Sequence, residues 1–164
     1  MSALFSVDEV LEIAQLMERN GARFYRRASQ AFADSRARDV LLDLAIAEDE
    51  HEKAFAAMRA DLSRQERESS VGDPYARAAA YLRGMVDGQL FDVKADPSER
   101  LTGQETVEEI IKTAVGLEKD SIVFYLGAKQ MVPEGPGRRR IDAIIKAEMG
   151  HIAALSGALA SWRG

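Results

Sequence analysis

The sequence predicts an all-α protein in which two helical hairpins form a four-helix bundle. A long crossover that contains a short helix joins the hairpins. Helix-forming residues dominate the 164-residue chain, which has only four prolines. Residues 6–62 repeat as residues 106–162 at an offset of one hundred without a gap. Within each copy, apolar positions recur at helical spacing. We therefore expect a single domain, with hairpins at 6–66 and 103–162 and the crossover at 67–102.

Both halves of the repeat begin with the same helix-start signal. The segments 6–9 and 106–109 have the S/T-x-x-E form of a capping box, in which the first side chain and the last exchange hydrogen bonds with backbone amides. Each half then reads as two helices joined by a short turn. The first turn is expected near 33–35, and the second at 133–137, where prolines and glycines cannot continue a helix.

The crossover segment, 67–102, has no counterpart in the repeat. Asp73 and Pro74 resemble an N-cap followed by proline at the first helical position, so the segment 75–86 is expected to form a short helix. Helices of about 28 residues are roughly 42 Å long, and a connection that returns along them needs about a dozen extended residues. The crossover is long enough, which favours the ferritin-like arrangement of two joined hairpins over a simple up-down-up-down bundle.

Carboxylates and imidazoles recur in the repeat in a two-fold pattern. A Glu-x-x-His sequence occurs once in each half, and its histidines are the only two in the chain. A glutamate precedes each pair by thirty residues in matching context. The set comprises Glu18, Glu48, His51, Glu118, Glu148 and His151. A helical bundle with a buried two-metal site uses one glutamate from each of two helices and a Glu-x-x-His from each of the other two.

Helical spacing places all six residues in the core at about the same height. In the second helix the buried stripe is expected to contain Leu41, Leu44, Glu48, His51, Phe55, Met58 and Leu62. The matching stripe in the fourth helix ends at Trp162. Burial of one unpaired carboxylate costs several kcal/mol, and four together would exceed the roughly 5–15 kcal/mol by which a domain is stable. Two divalent cations would balance four carboxylates, as would two ferric ions with a bridging oxide.

The donor atoms restrict the choice of metal. The chain has no cysteine, which excludes disulfides, iron-sulfur clusters and thiolate sites. Two imidazole nitrogens with several carboxylate oxygens suit iron, or manganese, better than zinc or calcium. Tyr25 and Tyr125 each lie seven residues after a candidate glutamate. Their hydroxyls could hydrogen-bond the ligand carboxylates, or their rings could simply pack in the core, and the sequence leaves both interpretations open.

Charge and hydropathy argue against two classes of partner. The net charge of -5 disfavours a nucleic-acid surface, and the arginine run 138–140 is expected to be a solvated helix turn. A phosphate-binding role for that run is the alternative. No apolar run approaches membrane-spanning length, so no membrane contact is expected. The N-terminal segment carries acids and lacks a basic region followed by an apolar stretch, which predicts a cytoplasmic protein.

The motifs resemble those of a known group. E-x5-FY, at Glu18 and at Glu118, together with the two Glu-x-x-His pairs, is similar to the di-iron domain of the rubrerythrin family within the ferritin-like superfamily. The resemblance covers both halves of the repeat, about 6–62 and 106–162. Two features differ from that family: this chain lacks the cysteines of a rubredoxin domain, and it lacks an extra carboxylate one turn from Glu118. The residues at those positions are Ala114, Val115, Ser121 and Ile122.

The resemblance implies a di-iron centre that reduces hydrogen peroxide or dioxygen. In that scheme Glu48 and Glu148 bridge the metals, while Glu18 with His51, and Glu118 with His151, complete one iron each. Without its own rubredoxin domain, the chain would need an external electron donor such as a rubredoxin-like protein, and a homodimer is expected. Two alternatives remain open: iron oxidation with storage or transfer, as in ferritins, and a module whose metals serve only structure or sensing.

Overall fold

Four long helices form the bundle in the computed structural model, which describes residues 6–33, 35–68, 76–86 and 93–163. The helices are α1 Val7–Ser29, α2 Arg36–Ala60, α3 Arg64–Glu68, α4 Ala76–Val86, α5 Val107–Met131 and α6 Pro136–Arg163, with a 3₁₀ helix at Pro97–Arg100. Helix α1 packs along α2, and α5 packs along α6, which are the two predicted hairpins. Contacts of α1 with α5 and of α2 with α6 join the hairpins. The all-α bundle with a long crossover is therefore confirmed.

The predicted helix starts are present at α1 and α5. Ser6 Oγ accepts a hydrogen bond from the Glu9 amide at 3.1 Å, and the Glu9 carboxylate accepts one from the Ser6 amide at 2.8 Å. Thr106 and Glu109 make the same pair of bonds at 3.2 and 2.8 Å. Each box satisfies two amides that would otherwise lack a partner at a helix end. The capping boxes therefore fix where both halves of the repeat begin.

The first hairpin turn falls where the sequence places it, whereas the second ends earlier than the predicted 133–137. Pro136 and Gly137 already belong to α6, because a helix tolerates proline at its first position. Helix α1 ends at Ser29 and α2 begins at Arg36, so the first turn includes the predicted positions 33–35, of which Asp34 lies outside the described residues. The second turn joins α5 to α6, and Gly135 adopts a φ of 137° there. A side chain would be strained at this φ, which explains a glycine at this turn.

Among its described residues, the crossover has the predicted helix and two helices that the sequence did not predict, α3 at its start and the 3₁₀ helix at Pro97–Arg100. Helix α4, Ala76–Val86, confirms the helix predicted at 75–86, whereas Asp73 and Pro74 lie outside the described residues. The short helix α3 begins inside the predicted first hairpin and ends beyond its expected boundary at 66. Its cause is a third capping box, in which Ser63 and Glu66 exchange backbone hydrogen bonds of 2.7 and 3.2 Å.

The last part of the crossover is held against α1. Three α1 side chains, spaced by three and four residues, project from one side of the helix to reach it. The contacts are Asn20 Nδ2 to the carbonyl oxygens of Lys94 and Ala95 (3.5 and 3.4 Å), Arg23 to Asp96 (3.4 Å) and Arg27 to the carbonyl oxygen of Leu101 (3.0 Å). Asn20 is itself buried. The returning segment is therefore fixed along the C-terminal half of α1, and its first contact, at Asn20, lies close to Glu18.

Helix α6 departs from two expectations. By length and composition alone it could cross a membrane, so the prediction that no apolar run approaches that length is wrong. In this fold it is the fourth bundle helix, and it carries Glu148, which is fully buried. Trp162 was expected in the core stripe but is 54% exposed. It lies one turn beyond the bundle core, where its ring meets Phe32 edge-on at 6.2 Å.

Candidate metal centre

The structure brings all six predicted ligand residues together in the core. Within the described residues they form two groups, and in each group one possible ligand atom per residue lies within 4.8 Å of the others. The first group is Glu18, Glu48, His51 and Glu148, and the second is Glu48, Glu118, Glu148 and His151. Glu48 and Glu148 belong to both groups. Two overlapping sets with two shared carboxylates have the form of a site for two metal ions.

The two Glu-x-x-His pairs face each other across the contact of α2 with α6. His51 Nδ1 lies 2.9 Å from a Glu148 oxygen, and His151 Nδ1 lies 3.1 Å from a Glu48 oxygen. The later residue of each pair contacts the earlier residue of the other pair, so α2 and α6 run antiparallel here. The imidazole rings stack, with centroids 5.5 Å apart and an interplanar angle of 20°. Helices α1 and α5 supply Glu18 and Glu118 from the opposite side of the bundle.

Burial changes the proton affinity of three of the carboxyl groups. Desolvation raises the pKa of Glu18 to about 8 and that of Glu118 to about 9. It also raises the pKa of Glu48 well above its ordinary value, and the nearby Glu18 carboxylate acts in the same direction. Charged forms lose their hydration in the core, so all three groups hold protons near neutral pH when no metal replaces them.

Glu148 and His151 behave differently from the other groups. Burial acts to raise the pKa of Glu148, but close contacts with Glu118, His151 and His51 outweigh it and lower the pKa to about 2. Burial acts to lower the pKa of His151, while contacts with Glu118, Glu148 and Glu48 raise it to about 12. Without metal, the cluster therefore has an ionised Glu148 beside a protonated His151.

Several buried atoms of the cluster lack hydrogen bonds. They are Glu18 Oε2, Glu48 Oε1, His51 Nδ1 and Glu148 Oε1. His51 Nδ1 and Glu148 Oε1 are close, but their directions do not make a hydrogen bond. A buried polar atom without a partner costs about 1–3 kcal/mol, and all four belong to the predicted ligand set. Carboxylate oxygens and an imidazole nitrogen left in this way fit metal ions that take nitrogen and oxygen ligands.

Two tyrosines connect the halves of the site. The Tyr25 hydroxyl donates to a Glu118 oxygen, and the Tyr125 hydroxyl donates to a Glu18 oxygen, so each bond joins one hairpin to the other. Both rings are at most 1% exposed and also pack in the core. Burial raises the pKa of both hydroxyls well above the ordinary value, which keeps them protonated donors. Both interpretations of these residues therefore hold at once.

A cavity of about 60 Å³ lies beside the carboxylates, between α1 and α5. Glu48 and Glu118 contribute to its wall, and residues 93–97 of the crossover cover part of it. Gly21 also lines the cavity and lies against Glu48, since a Cβ at this glycine would be in van der Waals contact with Glu48 Oε2 at 3.4 Å. Asn20 and Asp120 also line the cavity. Sequence reasoning missed Asn20 and Asp120 because each lies two residues after a ligand glutamate, off the predicted core stripe, and only the fold shows that the cavity extends to them.

Comparison with solved structures identifies the fold. The chain matches a crystal structure from Thermotoga maritima, described as a candidate ferritin-like diiron-carboxylate protein, with a TM-score of 0.76. The two sequences are 25% identical over 96% of each chain. The fold is ferritin-like. No family model and no curated protein matches the sequence. The narrower resemblance to rubrerythrins rests on the sequence motifs and stays a prediction.

Proposed function

We propose that this chain is a di-iron protein that reduces hydrogen peroxide, or dioxygen, with electrons from an external donor. The observation that carries the proposal is the pair of overlapping nitrogen and oxygen groups that share Glu48 and Glu148. The Thermotoga maritima protein with the same fold is described as a diiron-carboxylate protein, which supports iron at this centre. Manganese uses similar ligands and is the alternative metal.

Six side chains would hold the metals. Glu18 and His51 would bind one ion, Glu118 and His151 the other, and Glu48 and Glu148 both. When bound, two irons supply two electrons and Lewis acidity for cleavage of the oxygen-oxygen bond. The tyrosine hydroxyls fix the outer glutamates, because each bond holds one carboxylate oxygen while leaving the other for metal.

The cavity suits a small oxidant. Its volume of about 60 Å³ leaves room for a few water-sized molecules, which includes hydrogen peroxide and dioxygen. Conversion of peroxide to two waters requires two electrons and two protons. Both protons would come from solvent, because Tyr25, which lines the cavity, keeps its own proton at a raised pKa and donates it to Glu118 in a hydrogen bond. The apolar wall, which includes Val93 and Leu117, limits access of bulk water.

Electrons would reach the centre from the other side of the bundle. The chain has no cysteine to hold a rubredoxin-type iron, so we assign the donor role to a separate redox protein. The side chains of His51 and His151 are 13% and 12% exposed, respectively, in contrast to the glutamates, which are nearly inaccessible. These imidazole edges give a small donor protein its shortest approach to the metals.

Stopped-flow spectroscopy tests the proposal. Metal-free protein is loaded anaerobically with two equivalents of Fe(II) and mixed separately with hydrogen peroxide and with dioxygen. We expect oxidation by peroxide to be much faster than oxidation by dioxygen, with two irons bound per chain by elemental analysis. Glu48→Gln removes a carboxylate shared by both groups and is expected to abolish the two-metal stoichiometry. The exposed Glu50→Gln, two residues away, serves as the matched control.

Three results would contradict the proposal. Indifference to both oxidants would favour a structural or sensing role for the metals. Faster reaction with dioxygen, accumulation of many irons per chain and a large cage-like oligomer would together favour ferritin-type storage. Fewer than two metals per wild-type chain after loading would contradict the proposal that the six core residues bind two metal ions.

A further inference from the structure

Asp120 is a carboxylate with no role in the centre described above. It lies on α5, two residues after Glu118, and lines the cavity between α1 and α5. Its side chain is half-buried, and within the described part of the chain no ion pair or hydrogen bond compensates its charge. A partly desolvated carboxylate without a cationic partner is unfavourable in a protein that functions without cations. Asp120 lines the same cavity as the candidate ligands Glu48 and Glu118, so a cation that passes through this cavity would compensate its charge.

The cavity connects Asp120 to the ligand carboxylates. Asn20 and Ser121 contribute further polar groups to its wall, and Glu48 and Glu118 form its inner end. Glu48 is only 4% exposed, and its Oε1 makes no hydrogen bond. The side chains of Asp120 and Ser121 therefore line the same cavity as the buried carboxyl groups of Glu48 and Glu118, among apolar residues such as Val93 and Leu117.

A hydrated ion must exchange its water for protein oxygens and nitrogens on its way to the centre. The six core residues supply the ligand atoms of the bound metals, so a divalent cation loses most of its water before they bind it. Protein oxygens along the path, beginning with the Asp120 carboxylate, can replace the lost waters and keep the cost of dehydration low.

Among the described residues, the opposite side of the bundle presents mainly small side chains beside the imidazoles. The imidazoles of His51 and His151 are slightly exposed there, but the residues that flank them along the contact of α2 with α6 are mainly small and apolar. They include Ala47, Ala54, Ala147, Gly150 and Ala154. Alanine and glycine side chains have no oxygen to exchange for the water of a cation. The exposed Glu50 beside this contact is paired with Lys53 at 2.6 Å.

We infer that divalent metal reaches the centre through the cavity between α1 and α5, and that Asp120 is the carboxylate that takes the ion from solvent. This inference depends on the proposed function only in requiring that the six core residues bind two metals. It assigns Asp120 to metal uptake and excludes it from the final ligand set. Loss of the Asp120 carboxylate should therefore slow metal uptake without changing the number of metals bound or their ligands.

Uptake of Co(II) by the metal-free full-length protein tests the inference, because cobalt reports binding in its visible spectrum without redox chemistry. In stopped-flow mixing at low ionic strength, we expect Asp120→Asn to slow uptake by about three- to tenfold, since one attractive charge is lost. Asp120→Glu restores the charge and should load at nearly the wild-type rate. Asp43→Asn removes an exposed carboxylate from α2, on the imidazole side, and should leave the rate unchanged. In 0.5 M salt the defect should shrink, because salt screens the lost attraction.

The outcomes separate this inference from the proposed function. An equal uptake rate for Asp120→Asn and wild type, with two cobalt ions bound in each, overturns the uptake route and leaves the two-metal centre intact. A changed final spectrum or stoichiometry in Asp120→Asn makes Asp120 a ligand or a structural residue and also overturns the route. Fewer than two cobalt ions in the wild-type protein removes the centre and the route together.

Discussion

At the scale of single residues, hydrogen bonds from one hairpin to the other shape the candidate centre. Tyr25 belongs to α1 but donates to Glu118 on α5, and Tyr125 on α5 donates to Glu18 on α1. The glutamates therefore depend on the partner hairpin for their orientation. Groups of this kind around a metal ligand typically affect metal affinity by about 10–100-fold.

Replacing Tyr25 with phenylalanine tests this dependence. The ring and its packing remain, but Glu118 loses its donor, so we expect metal affinity to fall by about 10–100-fold. Competition with a chelator of known affinity measures the change. Tyr81→Phe is the matched control, because its hydroxyl donates to the Val123 carbonyl at 2.6 Å on the outer side of α5. Equal losses in both variants would contradict a specific role for Tyr25.

At the scale of helices, close approach determines how the crossover meets the bundle. Helix α4 packs against α5 at Gly127, where a Cβ would lie 2.6 Å from the ring of Tyr81 and 2.9 Å from Leu82. Gly116 lies in the same helix with no atom within 4 Å of its own Cβ position. One glycine is therefore required by packing, whereas the other only weakens the helix.

The two glycines of α5 give opposite predictions for the same substitution. Gly127→Ala should lower the free energy of unfolding by about 1–3 kcal/mol, because α4 must move or the ring of Tyr81 must turn away. Gly116→Ala should raise it by about 0.5–1 kcal/mol, since alanine restricts the unfolded chain and favours the helix. Urea unfolding of the metal-free protein measures both. Changes of the same sign would show that α4 does not pack on Gly127 as described.

At the scale of the whole molecule, protons and metals compete for one buried cluster. Folding raises the pKa of Glu18 to about 8 and of Glu118 to about 9, from an ordinary value of 4.5, and that of His151 to about 12, from 6.5. These groups bind protons more tightly in the folded state than in the unfolded state. Their stabilising effect is therefore lost as pH rises from about 5 to 9, and His151 extends the loss further. Glu148 has the opposite effect, because its pKa is lowered from 4.5 to about 2. Its stabilising contribution is lost only as the pH falls from 4.5 to about 2.

Thermal unfolding at several pH values tests this competition. The Tm of the metal-free protein should fall between pH 5 and pH 9, with each kcal/mol of lost stability lowering it by about 2–4 °C. Metal ions replace the protons, so the metal-loaded protein should gain stability relative to the metal-free form over the same range. Calorimetry of both forms measures the gap between their Tm values. A gap that stays constant with pH would contradict proton displacement by the metals.

Sequence alone was sufficient wherever a local rule acts or the repeat applies. Capping boxes at Ser6 and Thr106 fix the helix starts, and the gapless repeat with helical periodicity predicts that six ionisable residues meet in one core. The same local rule also explains α3, because Ser63 and Glu66 have the S/T-x-x-E form of a capping box. Trp162 was misplaced because periodicity extends a stripe along a helix but carries no information on where the partner helices end.

The amino-acid sequence by itself therefore determined the bundle, its two hairpins and the candidate ligand set, because these follow from spacing along helices. Tertiary structure alone decided which tyrosine meets which glutamate, how α4 reaches Gly127, and how the crossover covers part of the cavity that Asp120 lines. These features depend on how one hairpin lies against the other and on the path of a segment without a repeat partner. Neither is encoded in a local pattern, since both arise from contacts between residues far apart in the chain.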